Sequence, residues 1–284
     1  MWLFTLWGLV GLPFVALVLV LRHARLLADP RVVKPSAEHM RGKVCVVTGS
    51  NTGIGFRTAA QLAAMGATVV LACRDQKKAR AAAEAIHQEL AQSGDGASGG
   101  AAYPMELDLA DLASVSRFAS DLCARYSELD VLVCNAGLNT SRPRTRQGHE
   151  ASFGVGYLGH YALVRALLPL LQASPGTRVV MLASVMHWFG QDGALANWDH
   201  ALSGRYPWSC HLKGTASAYC DKNAANILLA AALRVRGVTA FAVNPGTTSS
   251  RDSSEVRCRE GDDCACWARN ELRPHVARML RVHL

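Results

Sequence analysis

The chain of 284 residues lacks several patterns that would place it in other classes of protein. No basic stripe interleaved with aromatic residues is present, which argues against nucleic acid as a partner despite a formal net charge of +8. The nine cysteines are odd in number, and several fall inside predicted strands and helices, so buried thiols in a reducing compartment are favoured over a disulfide framework. Cys258, Cys264 and Cys266 form no C-x-x-C pair, and we therefore expect no metal site.

The first 21 residues lack charged residues, Asn and Gln. A helix of this length just crosses a hydrocarbon core, so residues 1–21 predict a transmembrane anchor. Basic residues cluster only after it, and this asymmetry predicts that the following domain faces the cytosol. A cleaved signal peptide is the alternative, and it is disfavoured because no basic residue precedes the run and no A-x-A site follows it before Arg22. Residues 22–42 form a juxtamembrane linker whose positive charge suits contact with membrane lipid.

From residue 43 onward, short apolar segments alternate with amphipathic ones. This alternation predicts an α/β fold, a Rossmann-like doubly wound parallel sheet with helices on both faces. The strands are predicted at 44–48, 67–72, 103–107, 129–134, 178–183 and 238–243, and the main helices at 76–92, 112–126, 153–171 and 217–235. In such a sheet, ligands bind beyond the carboxyl ends of the strands, so the residues that follow each strand are the candidates for a site.

A glycine-rich turn follows the first of these strands and opens a helix. Gly49, Gly53 and Gly55 give the spacing G-x-x-x-G-x-G, with Asn51 and Ile54 inside the turn. Without Cβ atoms, the backbone allows a pyrophosphate to approach, and the helix directs free N–H groups and the positive end of its dipole at it. The turn therefore predicts a dinucleotide site, with a ligand-free βα turn as the alternative.

The end of the second strand lacks the acidic residue that would bind a ribose 2′-hydroxyl. Cys73 and Arg74 stand there instead, and a neutral residue followed by Arg suits a 2′-phosphate. This favours NADP over NAD as the cofactor, and a solvated surface arginine is the alternative.

The order of motifs resembles the short-chain dehydrogenase/reductase family, in particular its membrane-anchored, retinol-dehydrogenase-like branch. The motifs that carry this resemblance are Thr48–Gly55, Leu71–Asp75, Leu107–Leu109, Cys134–Gly137, Tyr157–Tyr161, Ser184, Tyr219-Cys220 and Asn244–Gly246. The resemblance covers about residues 42–250, and it implies one dinucleotide-binding oxidoreductase domain over residues 43–250.

The resemblance also implies a role for each motif. Ser184 would hold the substrate oxygen, Tyr219 would transfer the proton, and Asp108 would meet the adenine. Further contacts to the cofactor would come from Asn135, Ala136, Gly137, Pro245 and Gly246. In this family a lysine four residues after the tyrosine supplies a positive charge beside it and also contacts the ribose.

Two of these family positions are altered in this chain. Position 223, four residues after Tyr219, is Asn, and the lysine is Lys222. Neighbours at i+3 and i+4 on a helix differ in direction by about 100°. Two routes to the site remain open: the long Lys222 side chain reaches it, or a local bulge restores the register. In addition, Gly156 stands where the family places an Asn that supports a proton-relay water.

These features predict an enzyme that interconverts an apolar alcohol and its carbonyl, such as a retinoid, a steroid or a lipid aldehyde. The alternative is a catalytically impaired NADP(H)-binding membrane protein that acts through partners. For either, we expect a single-pass protein of the endoplasmic reticulum membrane, with a homodimer among the expected assemblies. Residues 251–284 contain no β-branched run and no aromatic residue except Trp267, and they predict an atypical tail in place of the family's substrate lid and seventh strand.

Overall fold

Six apolar segments form the strands of one sheet in a computed structural model, which describes residues 40–92, 99–138, 144–189, 203 and 215–245. The strands are β1 (Val44–Thr48), β2 (Thr68–Cys73), β3 (Ala101–Glu106), β4 (Val131–Cys134), β5 (Arg178–Leu182) and β6 (Thr239–Val243). The helices are α1 (Gly53–Ala64), α2 (Gln76–Gln92), α3 (Leu112–Arg125), the single turn α4 (Ala151–Phe153), α5 (Gly159–Ala173) and α6 (Thr215–Val235). Each predicted strand is present, with both ends within two residues of the prediction.

All five strand pairings are parallel, and the strand order is β3-β2-β1-β4-β5-β6. This is the order of the Rossmann fold, so the predicted fold class is confirmed. The order reverses between β1 and β4, where Val46 pairs with Val70 on one side and with Leu132 on the other. A ligand crevice is expected at this switch point, beyond the carboxyl ends of the two strands.

Strand β1 is buried on both of its faces. Cys45 and Val47 contribute to a core cluster that includes residues of α1 and α2, whereas Val46 contributes to a second cluster with residues of α3, α5 and α6. None of these three side chains is exposed. A strand covered on both faces needs apolar residues at every position, which explains the unbroken apolar run in the sequence.

The sequence predicts a helix over residues 153–171, and the chain is helical there, but its first turns are not all α-helical. Residues Gly154–Leu158 form a π-helical segment between α4 and α5. Glycines at its start and directly after it allow close contact: a Cβ atom on Gly154 would overlap the Thr145 side chain, and one on Gly159 would lie 2.5 Å from the carbonyl oxygen of Leu109. Single π turns occur often at functional sites, and nothing in the hydrophobic period indicated this one.

Several predictions fall outside the residues that the structure describes. These are the anchor at 1–21, most of the linker, Gly246 and the tail at 251–284. Within the described part of the chain, Ala151–Ala173 is the one stretch long and apolar enough to cross a membrane, and more than half of it is buried inside the domain. Of the five described cysteines, all free thiols, four are buried, namely Cys45, Cys73, Cys134 and Cys220.

Candidate active site

A cleft of about 810 Å³ lies at the carboxyl ends of the strands. Residues that directly follow each of the six strands line it, as the topology predicts. It brings together every sequence-predicted site residue that the structure describes: Gly49, Asn51, Gly53, Ile54, Gly55, Arg74, Asp108, Asn135, Ala136, Gly137, Ser184, Tyr219, Lys222 and Pro245.

The three glycines of the turn do not share one reason for lacking a side chain. Gly49 has φ +63° and Gly53 has φ +58°, which L-residues rarely adopt. A Cβ atom on Gly49 would lie 2.9 Å from that of Ala136, and one on Gly55 would lie 2.5 Å from the side-chain nitrogen of Asn135. A Cβ on Gly53 would meet no atom within 4 Å. Gly49 and Gly55 therefore also need to lack a side chain for contact with the segment after β4, whereas Gly53 is the open position. The approach of a ligand to all three glycines stays a prediction.

A buried network holds that segment in place. The Thr48 hydroxyl oxygen accepts hydrogen bonds from the backbone N–H groups of Asn135 and Ala136, both at 2.9 Å, and lies 2.9 Å from Nε2 of His160. Because these two N–H groups use both lone pairs of the Thr48 oxygen, its own hydrogen is the one left to donate. The acceptor is Nε2 of His160, since this nitrogen is nearer to the Thr48 oxygen than the carbonyl oxygen of Val133, which lies at 3.4 Å. His160 then carries its hydrogen on Nδ1 and donates it to the carbonyl oxygen of Gly156 at 3.1 Å.

His160 is neutral in this arrangement. Its side chain has no exposed surface, and burial lowers the pKa of His160 to about 4. Sequence reasoning did not assign His160 a role, because a histidine on an apolar helix face gives no sign of the partner that it meets in the fold.

At the end of the cleft beside β2, two cationic side chains accompany a buried thiol. Arg74 and Lys78 both line the cleft, and both are exposed. The carboxylate of Asp75 accepts from the backbone N–H of Lys78 at 3.0 Å, at the start of α2. Cys73 is buried, and burial raises the pKa of its thiol. Lys78 was missed by sequence reasoning, although a lysine in the first turn of the helix that follows Arg74 is a usable signal.

At the opposite end of the cleft, Ser184, Tyr219 and Lys222 come together. Lys222 lies with Nζ 4.6 Å from the centroid of the Tyr219 ring. Only 6% of Lys222 is exposed, and burial lowers the pKa of its ammonium group to about 8. The Ser184 hydroxyl oxygen accepts from the backbone N–H of Met186 at 3.3 Å.

Asn223 does not take the place of the family lysine. It is fully buried, it is not among the residues that line the cleft, and its side-chain nitrogen donates to the carbonyl oxygen of Tyr219 at 2.8 Å. Helix α6 is regular through this stretch, so no bulge restores the register. The long side chain of Lys222 reaches the cleft from the third position instead.

Comparison with known proteins agrees with the fold and the cleft. The family model for short chain dehydrogenases matches residues 43–195. Mouse (Mus musculus) retinol dehydrogenase 11 is 37% identical over 247 residues, which cover 85% of this chain and 72% of that protein. Human (Homo sapiens) dehydrogenase/reductase SDR family member 13 is 38% identical over 248 residues, covering 86% of this chain and 60% of that protein.

A solved structure shows the same likeness. A metagenomic short-chain oxidoreductase in complex with NADP is similar to this chain with a TM-score of 0.54 and 28% identity, covering 75% of this chain and 85% of that one. The motifs, the strand order and these relatives agree, and the chain belongs to the short-chain dehydrogenase family, a family of oxidoreductases, in its retinol-dehydrogenase-like branch.

Proposed function

We propose that this protein is an NADP(H)-dependent oxidoreductase that interconverts an apolar alcohol and its carbonyl. One observation carries the proposal: a single cleft joins the glycine turn after β1 to Ser184, Tyr219 and Lys222. A nucleotide held at one end of such a cleft and a reacting oxygen held at the other are the two requirements of the reaction.

The residues present fit a dinucleotide. The cleft volume of about 810 Å³ is within the usual range of ligand sites, and Gly53 leaves open space beside the first turn of α1. The side chain of Thr52 makes no capping hydrogen bond to this helix, so the first N–H groups of α1 are suited to an anion. The turn Gly49–Gly55 would hold the pyrophosphate, and Asn135–Gly137 and Pro245 would flank the rest. When bound, the nicotinamide supplies or accepts the hydride.

Charge at the β2 end supports NADP over NAD. Arg74 and Lys78 line this end of the cleft and would attract a 2′-phosphate, and Cys73 offers no carboxylate to a 2′-hydroxyl. The NADP found in the metagenomic relative is consistent with this preference.

The catalytic roles follow from the groups at the other end. The Ser184 hydroxyl would donate to the substrate oxygen, and the Tyr219 hydroxyl would give a proton to it or take one from it. Transfer of that proton leaves a negative charge on the phenol oxygen. The Lys222 ammonium, 4.6 Å from the ring and almost fully buried, would stabilise this charge in a medium of low dielectric constant.

The apolar substrate class rests on the similarity to retinol dehydrogenase 11 and on the predicted anchor at residues 1–21. A retinoid, steroid or lipid aldehyde dissolves in the bilayer, where an anchored enzyme would meet it. The location in the endoplasmic reticulum membrane, the cytosolic orientation and a homodimer remain predictions of the sequence.

The proposal is tested with the full chain in detergent micelles. NADPH binding and consumption are measured with retinal, a steroid ketone and long-chain aldehydes. Replacing Tyr219 by Phe is expected to reduce turnover by about 100-fold or more, because positioned proton transfer contributes about that much. The control is Tyr103→Phe, an exposed tyrosine on β3 outside the cleft.

Two results would contradict the proposal in different ways. Saturable NADPH binding without turnover of any carbonyl would favour the impaired binding protein. Absence of binding to both NADPH and NADH would exclude a dinucleotide role altogether.

A further inference from the structure

Two departures from the family pattern, 66 positions apart in the sequence, lie side by side in the fold. A Cβ atom built on Gly156 would lie 2.9 Å from Cδ of Lys222, 3.4 Å from Cε and 3.6 Å from Cγ. Three consecutive carbons of the lysine stem therefore pass directly over the α-carbon of Gly156. The first of these distances is shorter than real Cβ contacts, so any side chain at 156 must displace the lysine.

The position of Lys222 in α6 explains why its stem takes this path. A lysine at the fourth position after Tyr219 would point in a direction about 100° from that of Lys222. Starting from the third position, the stem crosses the π-helical segment Gly154–Leu158 to bring Nζ over the Tyr219 ring. Nζ ends within 3.9 Å of the place where Gly137 would carry a Cβ atom, on the wall of the cleft.

The backbone at Gly156 is held in place and cannot retreat from a larger side chain. Its carbonyl oxygen accepts one hydrogen bond from Nδ1 of His160 at 3.1 Å and another from the side-chain nitrogen of Asn226 at 3.2 Å. His160 and Asn226 are buried, and Asn226 also donates to the carbonyl of Leu182 at 2.9 Å. Backbone held by two buried partners leaves the lysine stem as the part that must move.

We propose that Gly156 and Lys222 act as one coupled unit: the missing side chain at 156 is the space that admits the Lys222 stem, and the lysine thereby provides the cation of the cleft from the third position after Tyr219. Gly156 is a positioning residue in this unit. The catalytic part of the proposal rests on the proposed function, whereas the spatial coupling does not depend on it.

The unit explains why both departures occur in the same chain. With Asn at 156, the stem of Lys222 would be excluded, so Gly156→Asn made alone should be harmful. A return to the family arrangement therefore has to change position 156 and the position of the lysine together.

The spatial coupling is tested by thermal unfolding of the full chain without cofactor. Gly156→Ala is made in three backgrounds: the natural chain, Lys222→Met and Lys222→Ala. In Lys222→Met an uncharged stem occupies the space, and the substitution should lower Tm. In the natural chain the same steric cost is opposed by better solvation of the displaced ammonium group, so Tm should fall by less than in Lys222→Met or not at all. In Lys222→Ala the space is empty, and the substitution should leave Tm unchanged or raise it, because Ala favours a helix over Gly.

Gly159→Ala is the matched control. Its Cβ atom would meet the backbone and side chain of Leu109, not the lysine, so it should lower Tm by the same amount in every background. A Gly156→Ala chain that folds only with Lys222→Ala is the strongest form of the expected result. An equal Tm shift in all three backgrounds, or failure to fold in all three, would overturn the coupling.

The positioning role is tested by following Lys222 itself. Its ε-carbon signal is titrated by NMR in a chain with labelled lysine, with Lys222→Ala used to assign it. Gly156→Ala should move its titration midpoint upward toward that of an ordinary lysine, since the displaced ammonium group is less buried. It should also reduce kcat/KM by about tenfold, less than the loss of about 100-fold or more expected when such a positioned group is removed outright. An unchanged midpoint would overturn the positioning role.

A further arm restores the family arrangement, with Gly156→Asn, Lys222→Ser and Asn223→Lys combined. This triple variant should recover the turnover that Gly156→Asn alone loses. If its turnover is no higher than that of Gly156→Asn, the coupling of Gly156 and Lys222 is contradicted. If the natural chain turns over no carbonyl, the proposed function fails, while the Tm series and the NMR titration still decide the coupling.

Discussion

At the scale of single residues, burial changes the protonation of the Lys222 ammonium group in the cleft. Burial lowers its pKa from an ordinary value of 10.5 to about 8. Between these two values the unfolded chain binds more protons than the folded chain, so the contribution of this group to stability rises with pH through that window. At pH 7 the charged group destabilises the fold by about 3 kcal/mol, at about 1.4 kcal/mol per pKa unit.

Replacing Lys222 by Met keeps an apolar stem of similar length and removes the charge. The free energy of unfolding at pH 7 should rise by up to about 3 kcal/mol, and the gain should disappear near pH 10.5. Turnover should fall by about 100-fold or more, since the phenolate loses its cation. Urea unfolding at pH 7 and pH 10.5 measures the first effect, with the exposed Lys77→Met as control. Equal stability changes at both pH values would contradict the burial argument.

Asn223 provides the complementary test of which position supplies the cation. Because its side chain is buried outside the cleft and bonds to its own helix, Asn223→Ala should lower kcat/KM by less than about threefold. Lys222→Ala, measured beside it, should abolish most of the activity. The reverse ranking of the two variants would show that position 223, as in the family, controls the chemistry.

At the scale of elements, one buried network ties β1, the segment after β4 and the π-helical turn together. His160 connects Thr48 to the carbonyl of Gly156, and Thr48 in turn receives the backbone of Asn135 and Ala136. The network positions the cleft wall and the surface over which Lys222 passes. Since its members come from three elements, we expect the loss of one member to destabilise all three elements.

His160 makes the stability of the fold depend on pH in the acidic range. Its pKa is lowered from 6.5 to about 4. The unfolded chain binds the extra proton between these values, so this stabilisation is complete above about pH 6.5 and is lost as pH falls toward 4. The loss amounts to about 3 kcal/mol, at about 1.4 kcal/mol per pKa unit.

The variant His160→Gln tests this dependence. It should be less stable than the natural chain at pH 7 by about 1–3 kcal/mol, because Thr48 or Gly156 loses a buried partner. It should also show a flatter stability profile between pH 7 and pH 4 by urea unfolding. His149→Gln, in the loop before α4, serves as the control. A profile as steep as that of the natural chain would assign the pH dependence to other groups.

At the scale of the whole molecule, the strand order assembles a cleft from six separate strand ends. A ligand that spans it contacts most of the sheet and therefore stabilises the folded state as a whole. NADPH at about 100 times its Kd should add about 2.7 kcal/mol to the free energy of unfolding.

The stabilisation of the fold by bound nucleotide can be used to test cofactor choice with the Arg74→Ala variant. Its affinity for NADPH should fall by about 10- to 100-fold, the usual worth of a charge-assisted hydrogen bond, and its affinity for NADH should stay the same. The thermal shift produced by each nucleotide measures this, with Lys77→Ala as control. An equal loss for both nucleotides would show that Arg74 does not bind a 2′-phosphate.

Much of the architecture followed from the sequence alone. Unbroken apolar runs such as Val44–Thr48 can be satisfied only by strands covered on both faces, and their alternation with helices leaves few topologies other than a parallel sheet. Because parallel strands all end at the same edge, Ser184, Arg74 and the glycine turn could be assigned to one site before any coordinates. These inferences depend on the spacing of apolar residues within a segment and on the order of the segments, and both are visible in the sequence.

The tertiary structure decided what depends on two distant segments meeting. The role of Gly55 against Asn135, the partners of His160 and the path of Lys222 over Gly156 are contacts between residues far apart in the chain. The sequence showed a lysine out of register and an unexpected glycine as two separate defects. Only their packing shows that the second makes room for the first, because the space available to a side chain is set by its neighbours in the fold and not by its neighbours in the chain.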